Sequence, residues 1–147
     1  MGCDIHITAE YKREDGKWIR NEKCIFDDKY NAPFSWRSYS LFGFLAGIRN
    51  MSECTPLSNP RGLPEDTTDS TREYWDGWEC DAHNPSWLSL EDIMEFDYRQ
   101  EFVDMRDINK PTISYAEHLG PLFFIELGRL STLGNGKDIR IVFWFDN

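Results

Sequence analysis

Cys3-Asp4-Ile5-His6-Ile7-Thr8-Ala9-Glu10-Tyr11-Lys12-Arg13, followed by Glu14-Asp15-Gly16 and then Lys17-Trp18-Ile19-Arg20, is the stretch that decides the fold. Ile5, Ile7, Ala9 and Tyr11 fall on one side of an extended chain and Asp4, His6, Thr8 and Glu10 on the other, which is the period of two expected of a strand. Asp15-Gly16 then predicts a hairpin, because both central residues of a type I′ turn need positive φ. At the far end, Ile139-Arg140-Ile141-Val142-Phe143-Trp144-Phe145 is apolar on both faces and rich in β-branched residues, as a central strand should be. The chain therefore reads as α+β, with a small antiparallel sheet (the N-terminal hairpin plus the central C-terminal strand) covered by about three helices.

The helices follow from caps and stripes. Ser38 can cap a helix carrying Leu41, Leu45 and Ile48, with Asn50 as its stop. Gly43 and Gly47 weaken that helix, so close packing explains them better than propensity. Ser89 with Asp92 resembles a capping box opening a helix that buries Leu90, Ile93 and Met94 and ends near Asp97. Pro121 suits a first helical turn, with Phe123, Leu127 and Leu130 as the buried stripe and Gly134 beyond the end. Residues 27–35 read as a loop. From Met51 to Asn84 no periodicity is present, which reads as a long irregular loop of the kind used for binding or left disordered.

At 147 residues the chain reads as a single domain spanning 1–147. Its net charge of −10 excludes sequence-independent binding to a long nucleic acid, which needs a basic surface. The charge is uneven: residues 1–73 carry 10 basic and 12 acidic side chains and residues 74–147 carry 6 and 14. No window is apolar enough for a membrane span and no export signal opens the chain, so the expected address is cytoplasmic, with no membrane partner. Met1-Gly2 begins like a myristoylation motif, but His6 stands where Ser or Thr is required, and that reading is rejected. Cys3, Cys24, Cys54 and Cys80 lack the spacing of a zinc or redox pair and read as reduced, buried small residues.

Cys-Asp-x-His occurs twice, as Cys3-Asp4-Ile5-His6 and Cys80-Asp81-Ala82-His83. Should the second string fold over the first, Asp4, His6, Asp81 and His83 could share a divalent metal, or His6 and His83 could serve as catalytic acid and base. The alternative is a solvated strand face plus a turn held by Asp81. His118 reads as a helix-entry residue. His6-Ile7-Thr8 matches half of the paired H-x-[ST] motif of two-histidine phosphodiesterases, but neither His83 nor His118 supplies the second half. Trp36-Arg37-Ser38-Tyr39, Arg49 and Arg61 interleave guanidinium groups with aromatic faces, a combination suited to phosphate and base of a small nucleotide. Singly, each arginine reads equally as a surface ion pair, and Trp36 and Trp87 as core. The block from Asp76 to Asp107 holds ten carboxylates and two arginines; it is a solvated face or a surface for a basic partner. No GxGxxG, Walker lysine loop or GxSxG is present, so dinucleotide-fold, P-loop and elbow-hydrolase chemistry has no support.

Met1-Gly2-Cys3-Asp4-Ile5-His6, Arg37-Ser38-Tyr39-Ser40-Leu41-Phe42-Gly43-Phe44-Leu45-Ala46-Gly47-Ile48-Arg49-Asn50, Pro60-Arg61-Gly62-Leu63-Pro64, Asp81-Ala82-His83 with Ser86-Trp87-Leu88, and Arg140-Ile141-Val142-Phe143-Trp144-Phe145-Asp146-Asn147 together resemble a family of bacteriophage and bacterial proteins with no established activity. The resemblance implies a phage-type context, in which small acidic proteins counter host immune signalling by capturing or cleaving nucleotide signals.

Three functions are expected from these readings. The first is binding, or sequestering, of a small phosphate-bearing, nucleotide-derived ligand by Asp4, His6, Trp36, Arg37, Tyr39, Arg49, Arg61, Asp81 and His83, in a pocket completed by a homo-oligomer. The second is a metal-dependent or histidine-based phosphodiesterase using the same Asp and His residues. The third is an acidic interaction protein that inhibits a host factor.

Overall fold

The structure, a computed structural model, describes residues 2–147; Met1, the first residue of the opening string, lies outside the described residues. Along the chain run β1 (Asp4–Lys12), β2 (Trp18–Arg20), α1 (Tyr39–Ala46), α2 (Asp69–Asp76), β3 (Ala82–Ser89), α3 (Leu90–Glu95), β4 (Glu101–Val103), β5 (Thr112–Ser114), α4 (Tyr115–Leu119), α5 (Pro121–Ser131) and β6 (Ile139–Asp146). The fold is α+β: a four-stranded antiparallel sheet in the order β2-β1-β6-β3, and a separate hairpin of β4 and β5. The N-terminal hairpin forms, but not by the expected type I′ turn: Gly16 N–H donates to the Arg13 carbonyl at 2.9 Å, so Glu14 and Asp15 are the central residues, and Gly16 alone takes positive φ, at 83°. β6 lies between β1 and β3 as its two apolar faces require.

One face of the sheet presents Ile5, Ile7, Ala9, Ile141, Phe143 and Phe145, all buried. α1 closes over it through Phe42, whose ring lies 5.3 Å from Phe145, and α5 follows through Phe123, 5.9 Å from Phe44. Ser38 caps α1 by accepting the Leu41 N–H, while Gly47, rather than Asn50, ends it in the left-handed conformation at φ 71°. Gly43 is in close contact: a Cβ there would meet Asn50 Oδ1 at 2.7 Å. Ser89 and Asp92 make the expected reciprocal capping box on α3, and Pro121 opens α5 above buried Phe123, Leu127 and Leu130.

The second face departs from expectation. Thr8 and Glu10 are buried as well, because α2, inside the stretch read as an irregular loop, lies across that side of the sheet. Tyr74 and Trp75 pack on Trp144 with ring centroids 4.9 and 5.4 Å away. Beneath α2, Glu10 Oε1 accepts Arg140 Nε at 2.8 Å. Glu10 Oε2 accepts the Thr68 N–H at 3.0 Å and lies 3.1, 2.7 and 2.9 Å from the hydroxyls of Thr67, Thr68 and Thr71. Burial pushes the Glu10 carboxyl up, but the Thr68 and Arg140 hydrogen bonds outweigh it and hold the group below its ordinary value. Arg140 also donates to Asp66 and stacks 3.8 Å from the Trp18 ring centroid. Among the described residues the α-helices thus number five, with α2 and α4 added to the three that the sequence indicates.

The outer edge of β3 is lined by the loop before α2: Gly62 N–H donates to the Pro85 carbonyl at 2.9 Å and Arg61 N–H to Ser86 Oγ at 3.0 Å. Cys3 and Cys54 are buried as expected, whereas Cys24 and Cys80 are exposed, and all four are free thiols. No helix among the described residues is long and apolar enough to cross a membrane.

Candidate functional site

The first turn of α1 gathers arginines. Arg37, Ser38, Tyr39, Ser40 and Arg106 line a hollow of about 300 Å³, at the lower end of the size range of ligand pockets. Tyr39 is fixed in place, since its hydroxyl accepts the Cys3 N–H at 3.1 Å. Two guanidinium groups lie over its ring, Arg49 at 5.6 Å and Arg106 at 5.9 Å from the centroid, within cation–π range. Among the described residues neither has a carboxylate within 4.0 Å. Arg49 is placed by the left-handed backbone that follows α1, at φ 51°. Arg37 is differently held: its Nε and Nη2 each donate to Asp4 at 2.8 Å, a bidentate fork. That fork holds the Asp4 carboxyl below the usual carboxylate range and raises the guanidinium further.

A neighbouring hollow of about 330 Å³ lies beyond the Asp4–Arg37 pair, with Asp4, His6, Asp28, Lys29, Ser35 and Tyr74 in its wall. His6 Nε2 is 2.6 Å from Asp146 Oδ2, and His6 Nδ1 is 3.3 Å from the Tyr74 hydroxyl. Trp78 covers the imidazole, ring centroids 4.0 Å apart. A carboxylate only accepts, so in the neutral imidazole the Nε2 proton goes to the Asp146 bond and Nδ1 is left to accept from Tyr74.

The nine residues expected to form one binding site are divided. Arg37, Tyr39 and Arg49 come together at α1, and Asp4 and His6 adjoin them. Arg61 does not join them: it donates to Asp92 at 2.9 Å, stacks 4.8 Å from the Trp87 centroid and lines a separate cleft of about 720 Å³ with Trp18, Lys12, Lys137 and Arg140. Trp36 packs against the core beside Phe34.

The shared metal set of Asp4, His6, Asp81 and His83 is not assembled, nor is the His6–His83 acid–base pair. Register explains why. His6 pairs with Trp144 and His83 with Phe145, and consecutive residues of a strand face opposite ways, so the two imidazoles leave opposite faces of the sheet. His83 is engaged with Asn84 and Asn147 instead, and Asp81 is exposed in the short 3₁₀ turn Glu79–Asp81. Among the described residues no group of three or more His, Cys, Asp or Glu could hold a metal ion.

Sequence reasoning missed Arg106, Tyr74, Trp78 and Asp146. Arg106 carried one signal, as one of only two arginines within the acidic Asp76–Asp107 block. Asp146 becomes visible only once β6 is registered against β1. Comparison with protein-family models, with curated proteins and with solved structures gives no match, so the functional reading rests on this geometry.

Proposed function

We propose that this protein binds a small phosphate-bearing, nucleotide-derived ligand, with its phosphate on Arg37, Arg49 and Arg106 beside Tyr39. The observation that carries the reading is the pair of uncompensated guanidinium groups, Arg49 and Arg106, held over one tyrosine ring in a chain of net charge −10. What supports an external anion is that these two guanidinium groups converge on one ring beside the hollow that Arg37 and Arg106 line. The N–H groups of the first turn of α1 add positive potential on the same side. A hollow of about 300 Å³ has room for a nucleotide-sized group. In the phage-type context that the sequence resembles, such capture would withdraw a nucleotide signal from its host receptor.

Calorimetric titration of the protein with AMP and with orthophosphate tests this. Saturable binding of AMP is expected, weakened about tenfold or more by Arg49→Ala and by Arg106→Ala, and weakened further by added salt. Absence of AMP binding, or equal affinity in the Arg49→Ala/Arg106→Ala double variant, would end the proposal.

A further inference from the structure

Three side chains next to the arginine cluster form a hydrogen-bonded chain that ligand capture alone does not use. Asp146 orients His6 through Nε2, and His6 presents Nδ1 to the Tyr74 hydroxyl. This is the arrangement of orienting acid, base and nucleophile required for covalent catalysis. Its components come from three elements, β6, β1 and α2, and the imidazole is clamped by Trp78 at 4.0 Å. His6 and Tyr74 both open onto the hollow of about 330 Å³, so the chain ends where a substrate can stand. His6 follows Asp4 by two residues on β1, roughly 7 Å, and Asp4 is the residue that Arg37 grips. The Asp4–Arg37 pair thus joins the two hollows, with Asp4 in the wall of one and Arg37 in the wall of the other.

The wall of this hollow selects the reacting group. Asp4 and Asp28 face it with one lysine, Lys29. With Asp4 already met by Arg37, Asp28 and Lys29 balance, and a phosphodiester, which carries a single negative charge, can be met by Lys29.

We propose that Tyr74, activated by His6 and Asp146, cleaves a phosphodiester of the ligand held by the arginine cluster; this rests on the binding reading above. The Tyr74 oxygen bonds to phosphorus as the bond from phosphorus to one esterified oxygen breaks. The tyrosine proton passes to His6 Nδ1 and from there to the departing oxygen, which leaves as an alcohol. Asp146 stabilises the imidazolium in between. Water then attacks the phosphotyrosine, one of its protons returns through His6 to the Tyr74 oxygen, and a phosphate monoester is released.

The test uses the full chain with bis(p-nitrophenyl) phosphate as substrate, and AMP binding is measured on the same preparations. The wild type is expected to release p-nitrophenolate and to show a p-nitrophenylphosphoryl adduct on Tyr74 in the intact mass. Tyr74→Phe should bind AMP as the wild type does, which reports a folded site, yet show neither release nor adduct. His6→Gln should form the adduct at least about a hundredfold more slowly. A wild type that binds AMP but releases nothing, or a Tyr74→Phe variant as active as the wild type, overturns the cleavage proposal while leaving binding intact. Failure to bind AMP overturns both.

Discussion

Asp4 and Asp146 stand directly opposite each other across β1 and β6, and each is held by a different partner, Asp4 by Arg37 and Asp146 by His6. Like charges in a cross-strand pair repel, and the Arg37 fork offsets that repulsion at this end of the sheet. Arg37 is thus shared between a structural duty and the phosphate it is proposed to meet. Asp4→Asn relaxes that competition. Its AMP affinity, read by calorimetry, should rise by up to about fivefold, the scale of an exposed ion pair. A fall in affinity would instead make Asp4 a ligand contact.

Glu10 and Arg140 are a second pair, almost completely enclosed, with side-chain exposures of 0% and 5%. Removing Glu10 leaves Arg140 only its more exposed partner Asp66 and takes the acceptor from the Thr68 N–H and three threonine hydroxyls beneath α2. Glu10→Ala should therefore lower stability by about 3–5 kcal/mol, seen as a shifted urea midpoint. Replacing both, as Glu10→Leu with Arg140→Met, should recover part of the loss; a double variant no better than Glu10→Ala would assign the cost to the threonine hydroxyls.

Acid should act on the fold in two stages. Burial lowers the His118 pKa from its ordinary 6.5, and its Nε2 has no hydrogen-bond partner. The unfolded chain then binds the proton more readily, so stability falls as pH drops below about 6.5. Glu10, also lowered, from 4.5, contributes stability that is present above about pH 4.5 and is lost as pH falls through its folded value. Unfolding followed against pH should show both components. His118→Phe should remove the first and spare the second, and an unchanged profile in that variant would refute the assignment.

Gly43→Ala should be destabilising although alanine favours helix. The new methyl would enter the space of Asn50 Oδ1, and Asn50 is tied to both the N–H and the carbonyl of Cys54. A loss of about 1–3 kcal/mol is expected, measured by thermal unfolding; a more stable variant would show that Asn50 can swing aside.

The elements legible in the sequence are those whose signals are local. The Asp15-Gly16 turn, the Ser38 and Ser89 caps, Pro121 and the two-faced apolar run of β6 each state their structure within a few residues. α2 was hidden because Asp69–Asp76 has no apolar stripe and buries only Thr71 fully. It is recruited by a carboxylate, Glu10, lying 58 positions from Thr68, and periodicity carries no mark of such an attachment. For the same reason the polar residues of β1 read as solvated when half of them lie beneath α2. His118, read as leading into a helix, closes α4 instead. At the site, Arg37, Tyr39 and Arg49 were legible because one short helix and its flanks carry them. Arg106, Tyr74 and Asp146 arrive from distant segments. The two Cys-Asp-x-His strings misled because identical spelling says nothing of strand register.

The loop that runs beside β3 has a consequence for how copies of this chain can meet. Gly62 occupies the outward carbonyl of Pro85, and proline has no N–H to offer. At the opposite margin β2 is only three residues long. An incoming strand would therefore meet a ladder interrupted at Pro85 and Ser86 along β3, whereas on the other side β2 covers only Glu10–Lys12 of β1, so the guard against strand-to-strand association lies on the β3 border.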